Sequence, residues 1–592
     1  MLEPVERDQP AVDRLVNRLT VEAADKRDAA TVMEVRGIVN AAETGLPGGL
    51  IEAHHGPGGG ARGGSTGYEY VRFSGGATGK TSCGAKMVRH EGVLRVEKPR
   101  IAFVPWDNDP RGSSACGAGI GATLLIPMDA APNPSSRLDS LDESRNPDGT
   151  PRGAYAELFE TVDIDTFAIA REQIERELAQ AGVVFGGAET TPFDVDPVPR
   201  LVESEEWAWI ERGLGQRIRA LNAFLADVYG GGRILAAGVV PRELLDTADW
   251  YEPAMSEPGM PAVRAHVAGP DLVRGADGEL RVLEDNLRAP SGLAYALAAR
   301  RAMAPLISAS GLEPRPLDGG VTALGEMLRA AAPAGGPEPN VVALNDGQDS
   351  SALYEHRELA RLLGLRMATA ADLRRRGDTL LVGEGEGERA VDVIYRRVDD
   401  ERLTAADGTA TTLGELLIEP LRAGTIACVN SPGSGVADDK AVHTYVERMI
   451  DFYLGEPALM HSVPGRYLGE PGELERALPR LGELVIKPRS QFGGKGVVIG
   501  ALASDRDLSE AAELLQRDPD RFVVQETVAL SLHPTLIDGS LDGRHVDLRP
   551  FVISNEESVK VVPGGLSRFA REAGVMVVNS GRGGGAKDTW VL

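Results

Sequence analysis

Residues 267–292 read VAGPDLVRGADGELRVLEDNLRAPSG and have the pattern of a β-hairpin. Asp277-Gly278 separates two apolar runs, and this dipeptide is typical of a two-residue loop, because a type I′ turn needs positive φ at both central positions. With that loop Asp271 pairs with Glu284 across the hairpin. Side chains alternate along a strand, so Asn286 shares a face with Glu284. The segment therefore predicts two carboxylates and one amide oxygen on one face of a sheet.

This donor set indicates a binding site for a hard cation. Two carboxylates in contact repel each other unless something positive lies between them. Mg²⁺ takes oxygen ligands, usually keeps several waters and bridges substrate phosphates. A solvated acidic hairpin is the alternative, but the flanking apolar residues and the Glu-x-Asn spacing favour a magnesium site.

A second element lies nearer the end of the chain. The apolar run Leu484-Val-Ile ends at Lys487 and leads into a loop that contains Gly493, Gly494 and Gly496. Glycine lets backbone N–H groups approach phosphate oxygens, and a lysine at the end of a strand adds a positive charge. A plain turn after a strand explains the loop equally well, so this element alone is a weak indication of phosphate binding.

Lys440 begins a predicted helix for which Asp438 or Asp439 is the N-cap. A lysine in the first turn interacts unfavourably with the helix dipole. Its position therefore indicates that it meets a bound anion.

Two further segments have features suited to a nucleotide. Phe522–Glu526 predicts a strand that ends in polar residues and whose backbone reads an adenine edge, although it also fits a strand that runs out into solvent. In the extended run Arg544–Val552, His545, Asp547 and Arg549 share one face. An arginine there can hold phosphate oxygens in a bidentate manner. An ordinary ion pair between Asp547 and Arg549 is the alternative.

Composition excludes several classes of protein. The chain has 592 residues, which predicts three or four structural units, and a net charge of −25, which argues against binding to a nucleic-acid duplex. Its three cysteines form no CxxC pair, so neither a disulfide framework nor a thiolate zinc site is expected. The sequence lacks a signal-peptide pattern and any apolar run of about 18 residues. We expect a cytoplasmic protein that does not associate with a membrane.

Seven segments together resemble a known family, the circularly permuted ATP-grasp proteins of the second type, which are relatives of the ligase domain of glutathionylspermidine synthetase. The resemblance covers residues 153–592, about three quarters of the chain, and is far more specific than any one motif. The segments, in chain order, are Glu206–Arg217, Ala223–Gly230, Leu283–Gly292, Val391–Asp400, Gly435–Val442, Arg544–Val552 and Lys587–Leu592.

The resemblance implies an α/β (α+β) protein with a circularly permuted ATP-grasp fold, in which ATP lies between two subdomains. The metal residues precede the lysines in the chain, which fits the permuted order. Residues 1–150 remain as an extra glycine-rich region that ends in a linker and has no assigned role. We expect a helical segment with the magnesium-binding hairpin over residues 151–335, a pre-ATP-grasp-like substrate-binding segment over 336–430, and the lysine, glycine-loop and hinge part over 431–592.

The resemblance also implies roles for individual residues. Those that would hold Mg²⁺ are Asp271, Glu284 and Asn286. Those that would contact or cover the phosphates of ATP are Lys440, Lys487, Gln491, Gly493, Gly494, Lys495 and Gly496. Those that would receive adenine are Gln525, Glu526 and Thr527. Arg549 would stabilise the transferring phosphoryl group, and Arg288 and Arg396 would meet the substrate carboxylate or the acyl phosphate.

These roles describe an ATP-dependent carboxylate–amine ligase that forms an amide or peptide bond through an acyl phosphate and releases ADP. Its cofactors would be ATP and Mg²⁺, and its partners a small-molecule or peptide carboxylate and an amine. A non-catalytic nucleotide-binding scaffold and an ATP-dependent phosphotransferase are the alternatives.

Overall fold

The computed structural model describes four strands between residues 50 and 97, and residues 140–592 apart from 187–189, 334–337, 492–494 and 576–583. The chain divides into two compact units, residues 1–122 and 123–592. In the first unit the described strands form an antiparallel sheet in chain order, Leu50–His55, Glu69–Ser74, Ser82–His90 and Val93–Glu97. The other residues of the glycine-rich region up to 139 lie outside the described part.

The longest helix of the second unit spans Ser204–Val228 and has apolar residues at helical spacing. Trp207, Ile210, Leu214 and Ile218 are fully buried, so one face of the helix lies in the largest apolar core. The described α-helices of this unit are Ala154–Thr161, Ile164–Gln180, Ser204–Val228, Arg233–Ala236, Arg242–Asp246, Leu293–Ala302, Ala304–Ser310, Asp318–Ala330, Leu353–Leu363, Thr412–Ala423, Lys440–His443, Val446–Leu454, Glu473–Ala477 and Asp505–Arg517. None of these helices is both long enough and apolar enough to span a membrane.

A parallel sheet forms the middle of the unit, with strand order Arg366–Ala368, Val341–Asn345, Val393–Arg397 and Ala427–Val429. All residues of its two central strands are buried, as expected for a parallel sheet that is covered on both faces. This sheet accounts for the predicted alternation of strands and helices.

An antiparallel sheet contains the predicted lysine strand, with order Gly465–Tyr467, Phe522–Glu526, Leu484–Pro488 and Val498–Ile499. Lys487 pairs with Val523, which confirms that these two predicted strands are neighbours. The remaining strands form small sheets, which are Val184–Phe185 with Thr191–Pro192, Asp271–Arg274 with Leu280–Glu284, Leu373–Arg376 with Thr379–Val382 and Arg389–Ala390, Leu532–Ile537 with Ser540–His545, Val267–Ala268 with Val552–Ser554 and Val559–Val561, and Val195–Val202 with Gly585–Val591 and Leu566–Phe569.

The segment that composition predicts as a linker belongs to the second unit, and from residue 140 onward it is packed against the rest of that unit. Glu143 forms a buried ion pair with Arg200 and lies 3.4 Å from Arg274. Leu141 accepts a backbone hydrogen bond from Leu532. The segment is therefore not a free linker. The buried Arg200 needs a carboxylate as counter-charge, and Glu143 of this polar segment supplies it.

A buried cluster joins three separate parts of the unit. Arg217 of the long helix donates two hydrogen bonds of 2.7 Å to Asp285, which follows the strand Leu280–Glu284. His443, at the end of the helix Lys440–His443, donates from Nδ1 to the same carboxylate at 2.7 Å. The side chains of Arg217 and Asp285 are at most 1% exposed, so this ion pair is shielded from water.

We expect Asp285→Asn to destabilise the protein by about 3–5 kcal/mol, because it leaves the buried guanidinium of Arg217 without a counter-charge. Glu510→Gln, which breaks the exposed ion pair with Arg506, should leave the stability almost unchanged. Urea unfolding followed by circular dichroism measures both variants. Equal unfolding midpoints for the two variants would show that Asp285 does not stabilise the fold by neutralising Arg217.

The second prediction concerns acid stability. Burial and the charge of Arg397 lower the pKa of His356 to about 2, so the folded protein keeps this imidazole neutral. The unfolded chain takes up a proton at its ordinary pKa near 6.5. Stability from this residue is therefore complete above pH 6.5 and falls by up to about 1.4 kcal/mol per pH unit as the pH drops below that value.

Urea midpoints at pH 7.5, 6.5, 5.5 and 4.5 should show this decline in the wild type. Between pH 6.5 and 4.5, His356→Gln should make the dependence of the unfolding free energy on pH less steep, by the contribution of one proton. An identical slope in the variant would show that the imidazole is not kept neutral.

Candidate functional site

The hairpin at residues 271–284 has a three-residue loop, and the predicted two-residue loop is wrong. The Gly275 amide donates to the Glu279 carbonyl oxygen at 3.0 Å, and the Gly278 amide donates to the Gly275 carbonyl oxygen at 3.0 Å. Gly278 closes the loop with φ of +85°, a left-handed conformation that glycine adopts without strain. The loop therefore contains one residue more than a type I′ turn.

A β-bulge compensates for this extra residue. Val282 pairs with Leu272, but the next pair is Glu284 with Asp271, so that Leu283 is an additional residue on its strand. The predicted opposition of Asp271 and Glu284 is confirmed, although the loop that was expected to produce it is different.

The bulge also changes which side chains face the core. Before it Val282 is buried, whereas after it the buried residues are Asp285, at 2% exposure, and Leu287. Glu284 and Asn286 consequently lie on the opposite face from the core. There Asn286 donates from Nδ2 to Asp271 Oδ1 at 3.2 Å, and to the Gly269 carbonyl oxygen. The three predicted metal residues are thus brought together, and the amide oxygen of Asn286 is used by neither bond.

Two cations from distant parts of the chain contact the carboxylates. Arg549 Nη2 lies 3.1 Å from Asp271 Oδ2, and Lys440 Nζ lies 3.7 Å from Glu284 Oε2. Arg549 also forms the ion pair with Asp547 that was considered as an alternative, at 2.9 Å. Its guanidinium therefore joins the two carboxylates, and the ion pair does not exclude it from the site.

Burial and mutual repulsion set the charge state of the acidic pair. Burial raises the pKa of Asp271 well above its ordinary value, and Glu284 raises it further. Burial also acts to raise the pKa of Glu284, but the charges of Lys440 and Lys487 lower it overall. Burial lowers the pKa of Lys487 to about 8, against the opposing effect of Glu284. The carboxylates and lysines are therefore close enough to shift each other's proton affinity.

Lys440 connects the acidic pair with the glycine-rich loop. The N-cap of its helix is Asp439, whose side chain accepts a hydrogen bond from the Ala441 amide at 2.8 Å. Asp439 is one of the two residues predicted for this position. Lys440 Nζ donates to the Gln491 carbonyl oxygen at 2.7 Å. At the other end of the loop Lys495 is exposed, and Gly496 has φ of +69°. Two predicted phosphate-binding positions, Gly493 and Gly494, lie outside the described residues.

The predicted adenine-binding residues lie at the end of the strand Phe522–Glu526. Gln525 is buried and donates to the Leu283 carbonyl oxygen at 3.3 Å, so it touches the bulge of the hairpin. Glu526 pairs with Arg480 at 2.9 Å, and Thr527 donates to the Glu483 carbonyl oxygen. Their side chains thus bind protein groups, and their proposed contact with adenine would be made by the backbone.

Arg396 and Arg288 lie beside this cluster and form other contacts. The guanidinium of Arg396 is buried in an ion pair with Glu401 and donates to the carbonyl oxygens of Asn430 and Arg288. Arg288 stacks on the Trp250 ring, 3.9 Å from its centroid. In the described part of the chain neither arginine forms an ion pair with Asp271 or Glu284.

Three contacts that sequence reasoning missed hold the site together. Asp285 binds Arg217 and His443, as described above, and this fixes the hairpin to the helix that begins at Lys440. Asp438 accepts a hydrogen bond from the Leu287 amide, and burial raises the pKa of this carboxyl to about 7. Arg489 forms a buried ion pair of 2.7 Å with Asp439 and so joins the lysine strand to the same helix.

The residues present fit a magnesium ion. Asp271 and Glu284 supply carboxylate oxygens and Asn286 an amide oxygen, and a divalent cation would relieve the repulsion that raises the pKa of Asp271. Within residues 140–592 as described, no group of three or more His, Cys, Asp or Glu residues is placed to hold a metal. Two carboxylates are too few to enclose a metal ion completely. They suit Mg²⁺, which usually keeps several waters and also binds substrate phosphates.

Comparison with known proteins places this chain in a family. Residues 199–570 match the family described as circularly permuted ATP-grasp type 2. A Frankia alni protein named "Putative glutamate--cysteine ligase 2-3" is 40% identical over 497 residues, which cover 82% of this chain and 57% of that relative. An uncharacterized Mycobacterium tuberculosis protein is 40% identical over 453 residues, which cover 75% of this chain and 82% of that relative.

A solved structure of a glutathione synthetase-like effector from Globodera pallida covers 72% of this chain and 98% of its own, with 13% identity and a TM-score of 0.49. This chain spans little more than half the length of the Frankia relative, so that name describes a longer protein. The family match extends over more than half of this chain and confirms the fold that the seven sequence segments imply. The chain belongs to the circularly permuted ATP-grasp type 2 family.

Proposed function

We propose that this chain is an ATP-dependent carboxylate–amine ligase. The observation that carries the proposal is the contact of the opposed carboxylates Asp271 and Glu284 with Arg549 and Lys440, which come from much later in the chain. Membership of the ATP-grasp family supports ATP as the phosphoryl donor.

The proposed reaction has two steps. An oxygen of the substrate carboxylate attacks the γ-phosphorus of ATP, the bond to the β,γ-bridging oxygen breaks, and ADP leaves. The nitrogen of the amine then attacks the acyl carbon of the resulting acyl phosphate, phosphate leaves, and the amine proton passes to solvent. Both steps place negative charge on phosphoryl oxygens, so catalysis depends on groups that stabilise this charge.

The positive groups of the cluster suit this demand. Lys440 and Lys487 would bind the phosphates, and Arg549 would stabilise the transferring phosphoryl group from the side of Asp271. Asp271, Glu284 and Asn286 would hold Mg²⁺, which when bound neutralises phosphate charge and orients the phosphates. Lys440 also binds the backbone of Gln491, so its ammonium group lies at the start of the predicted phosphate-binding loop.

The relatives support the same class of substrates. The name of the Frankia protein describes the joining of an acid, glutamate, to an amine, cysteine. Because this chain covers 57% of that protein, the name supports an acid and an amine as substrates and does not identify them.

We expect Glu284→Gln to reduce ATP-dependent ADP release by about 10²–10³-fold, as removal of one electrostatic group of a transition state commonly does. The matched control is Glu279→Gln, since Glu279 lies on the same hairpin but is exposed and pairs with Arg281. Coupled-enzyme detection of ADP measures both variants, with circular dichroism to show that they fold. Wild-type turnover by Glu284→Gln would rule out the proposed role of this carboxylate.

A second experiment separates the ligase from the alternatives. The protein is incubated with ATP, Mg²⁺, a panel of carboxylic acids and hydroxylamine, which traps an acyl phosphate as a hydroxamate. A hydroxamate is the expected product. A stable phosphorylated product without hydroxamate would indicate a phosphotransferase, and ATP binding without turnover would indicate a scaffold.

A further inference from the structure

Arg568 shares a sheet face with two residues of the site. Bridges between Val546 and Phe569 and between Arg549 and Leu566 set the register of the two extended segments. Arg568 consequently lies opposite Asp547 and diagonally across from Arg549. Diagonal neighbours of this kind are about 7–8 Å apart, which is within the reach of long side chains.

The guanidinium of Arg568 is buried, at 2% exposure for the residue, and it is poorly satisfied. Of its nitrogens only Nη2 donates a hydrogen bond within the described residues, to the Gly584 carbonyl oxygen at 2.9 Å. The buried Nε has no hydrogen-bond partner. One side of the guanidinium faces the Phe185 ring, 4.9 Å from its centroid, and Phe185 stacks on Tyr295.

The nearby carboxylates are already engaged with other groups. Asp547 accepts from the side chain of Arg549, and its second oxygen accepts from the backbone amide of Arg568. Asp194 pairs with Arg171 and Arg571. In the described part of the unit Arg568 therefore has no carboxylate within ion-pair distance.

A guanidinium as buried as that of Arg568 is unfavourable unless an anion lies within ion-pair distance of it. Burial and the charge of Arg549 lower the pKa of Arg568 to about 10, although the charges of Asp547 and Asp194 act in the opposite direction. A guanidinium binds carboxylates in a bidentate manner, and Nε belongs to one of its two-nitrogen edges.

The order of contacts along the site indicates which kind of anion Arg568 would bind. Lys440 contacts Glu284, Glu284 is opposite Asp271, Asp271 contacts Arg549, and Arg568 follows beyond Arg549. Arg568 thus lies at the end of the cluster that is farthest from the lysines proposed to bind ATP phosphates. The aromatic Phe185 and Tyr295 on this side provide an apolar wall for the carbon chain of an organic acid.

We propose that Arg568 binds a second carboxylate of the acid substrate, so that the preferred acid is a dicarboxylate whose other carboxylate reacts near Arg549. This inference rests on the proposed ligase function and specifies its substrate class. An acid with a few carbons between its carboxylates, such as an acidic amino acid, has the required chemistry.

The test measures binding directly, by calorimetry on the full chain with Mg²⁺ and ADP. The probes are matched pairs of a dicarboxylate and a monocarboxylate of equal carbon number, succinate with butyrate, glutarate with pentanoate, and L-glutamate with L-norvaline. At least one dicarboxylate should bind at least tenfold more tightly than its partner. Arg568→Met should weaken that dicarboxylate by about 10–100-fold and leave its monocarboxylate unchanged.

Two further variants control for folding and charge. Arg301→Met removes an exposed arginine that pairs with Glu358 and should leave all affinities unchanged. Arg568→Lys keeps the positive charge and should retain part of the preference for dicarboxylates. Because Arg568 lacks a carboxylate partner, Arg568→Met should melt at the wild-type temperature or above it, whereas loss of a structural ion pair would lower the melting temperature.

Several results would overturn the proposal. Equal affinity for both members of every pair would do so, as would a preference that survives in Arg568→Met. Competition by inorganic phosphate that is lost in Arg568→Met would assign the arginine to the nucleotide instead. If the wild type forms no hydroxamate with any acid, the ligase function fails while the binding results remain interpretable. If it uses both members of each pair equally, only the role of Arg568 fails.

Discussion

The buried carboxylate of Asp285 is the interaction on which the site depends. It is the point where the hairpin, the long helix and the helix that begins with Lys440 meet, since it binds Arg217 and His443 at the same time. A charge taken out of water is tolerated only with such partners, and they fix its position on all sides. Glu284 and Asn286, its neighbours in sequence, are therefore fixed by the contacts that Asp285 makes on the core face of the hairpin.

The site as a whole is an assembly of opposite charges taken from distant parts of the chain. Three contacts support the proposed ligands and phosphate-binding groups, and they are Asp285 below the hairpin, Asp438 at Leu287 and Arg489 at the cap of the helix that begins with Lys440. Groups held in this way need little rearrangement when a ligand binds, which favours electrostatic stabilisation of a developing charge.

Much of this arrangement follows from sequence because it is local. The hairpin and the helix cap at Asp439 depend on residues near one another, and the two strands of the lysine sheet were recognisable as apolar runs. Asp271 and Glu284 are opposed because the bulge at Leu283 compensates for the extra residue of the loop. The supports could not be predicted, because Arg217 and Asp285 are 68 residues apart and only the folded chain brings them together. Asp285 itself gave a signal, since alternation places it on the other face from Glu284, together with the apolar Leu283 and Leu287. The loop length was missed because the same Asp-Gly pair serves both two-residue and three-residue turns.

The bulge at Leu283 has a consequence for how the hairpin tolerates changes in length. Upstream of it even-numbered residues face the core, and downstream odd-numbered ones do. Insertions or deletions at the tip, residues 276–278, would lengthen or shorten an exposed turn and leave both carboxylates in place. Removal of Leu283 alone would close the bulge and restore regular alternation after Val282, so that Asp285 would still face the core and Glu284 the opposite face. The facing of the acidic pair is therefore set by the pairing of Glu284 with Asp271, and it does not depend on the length of the tip.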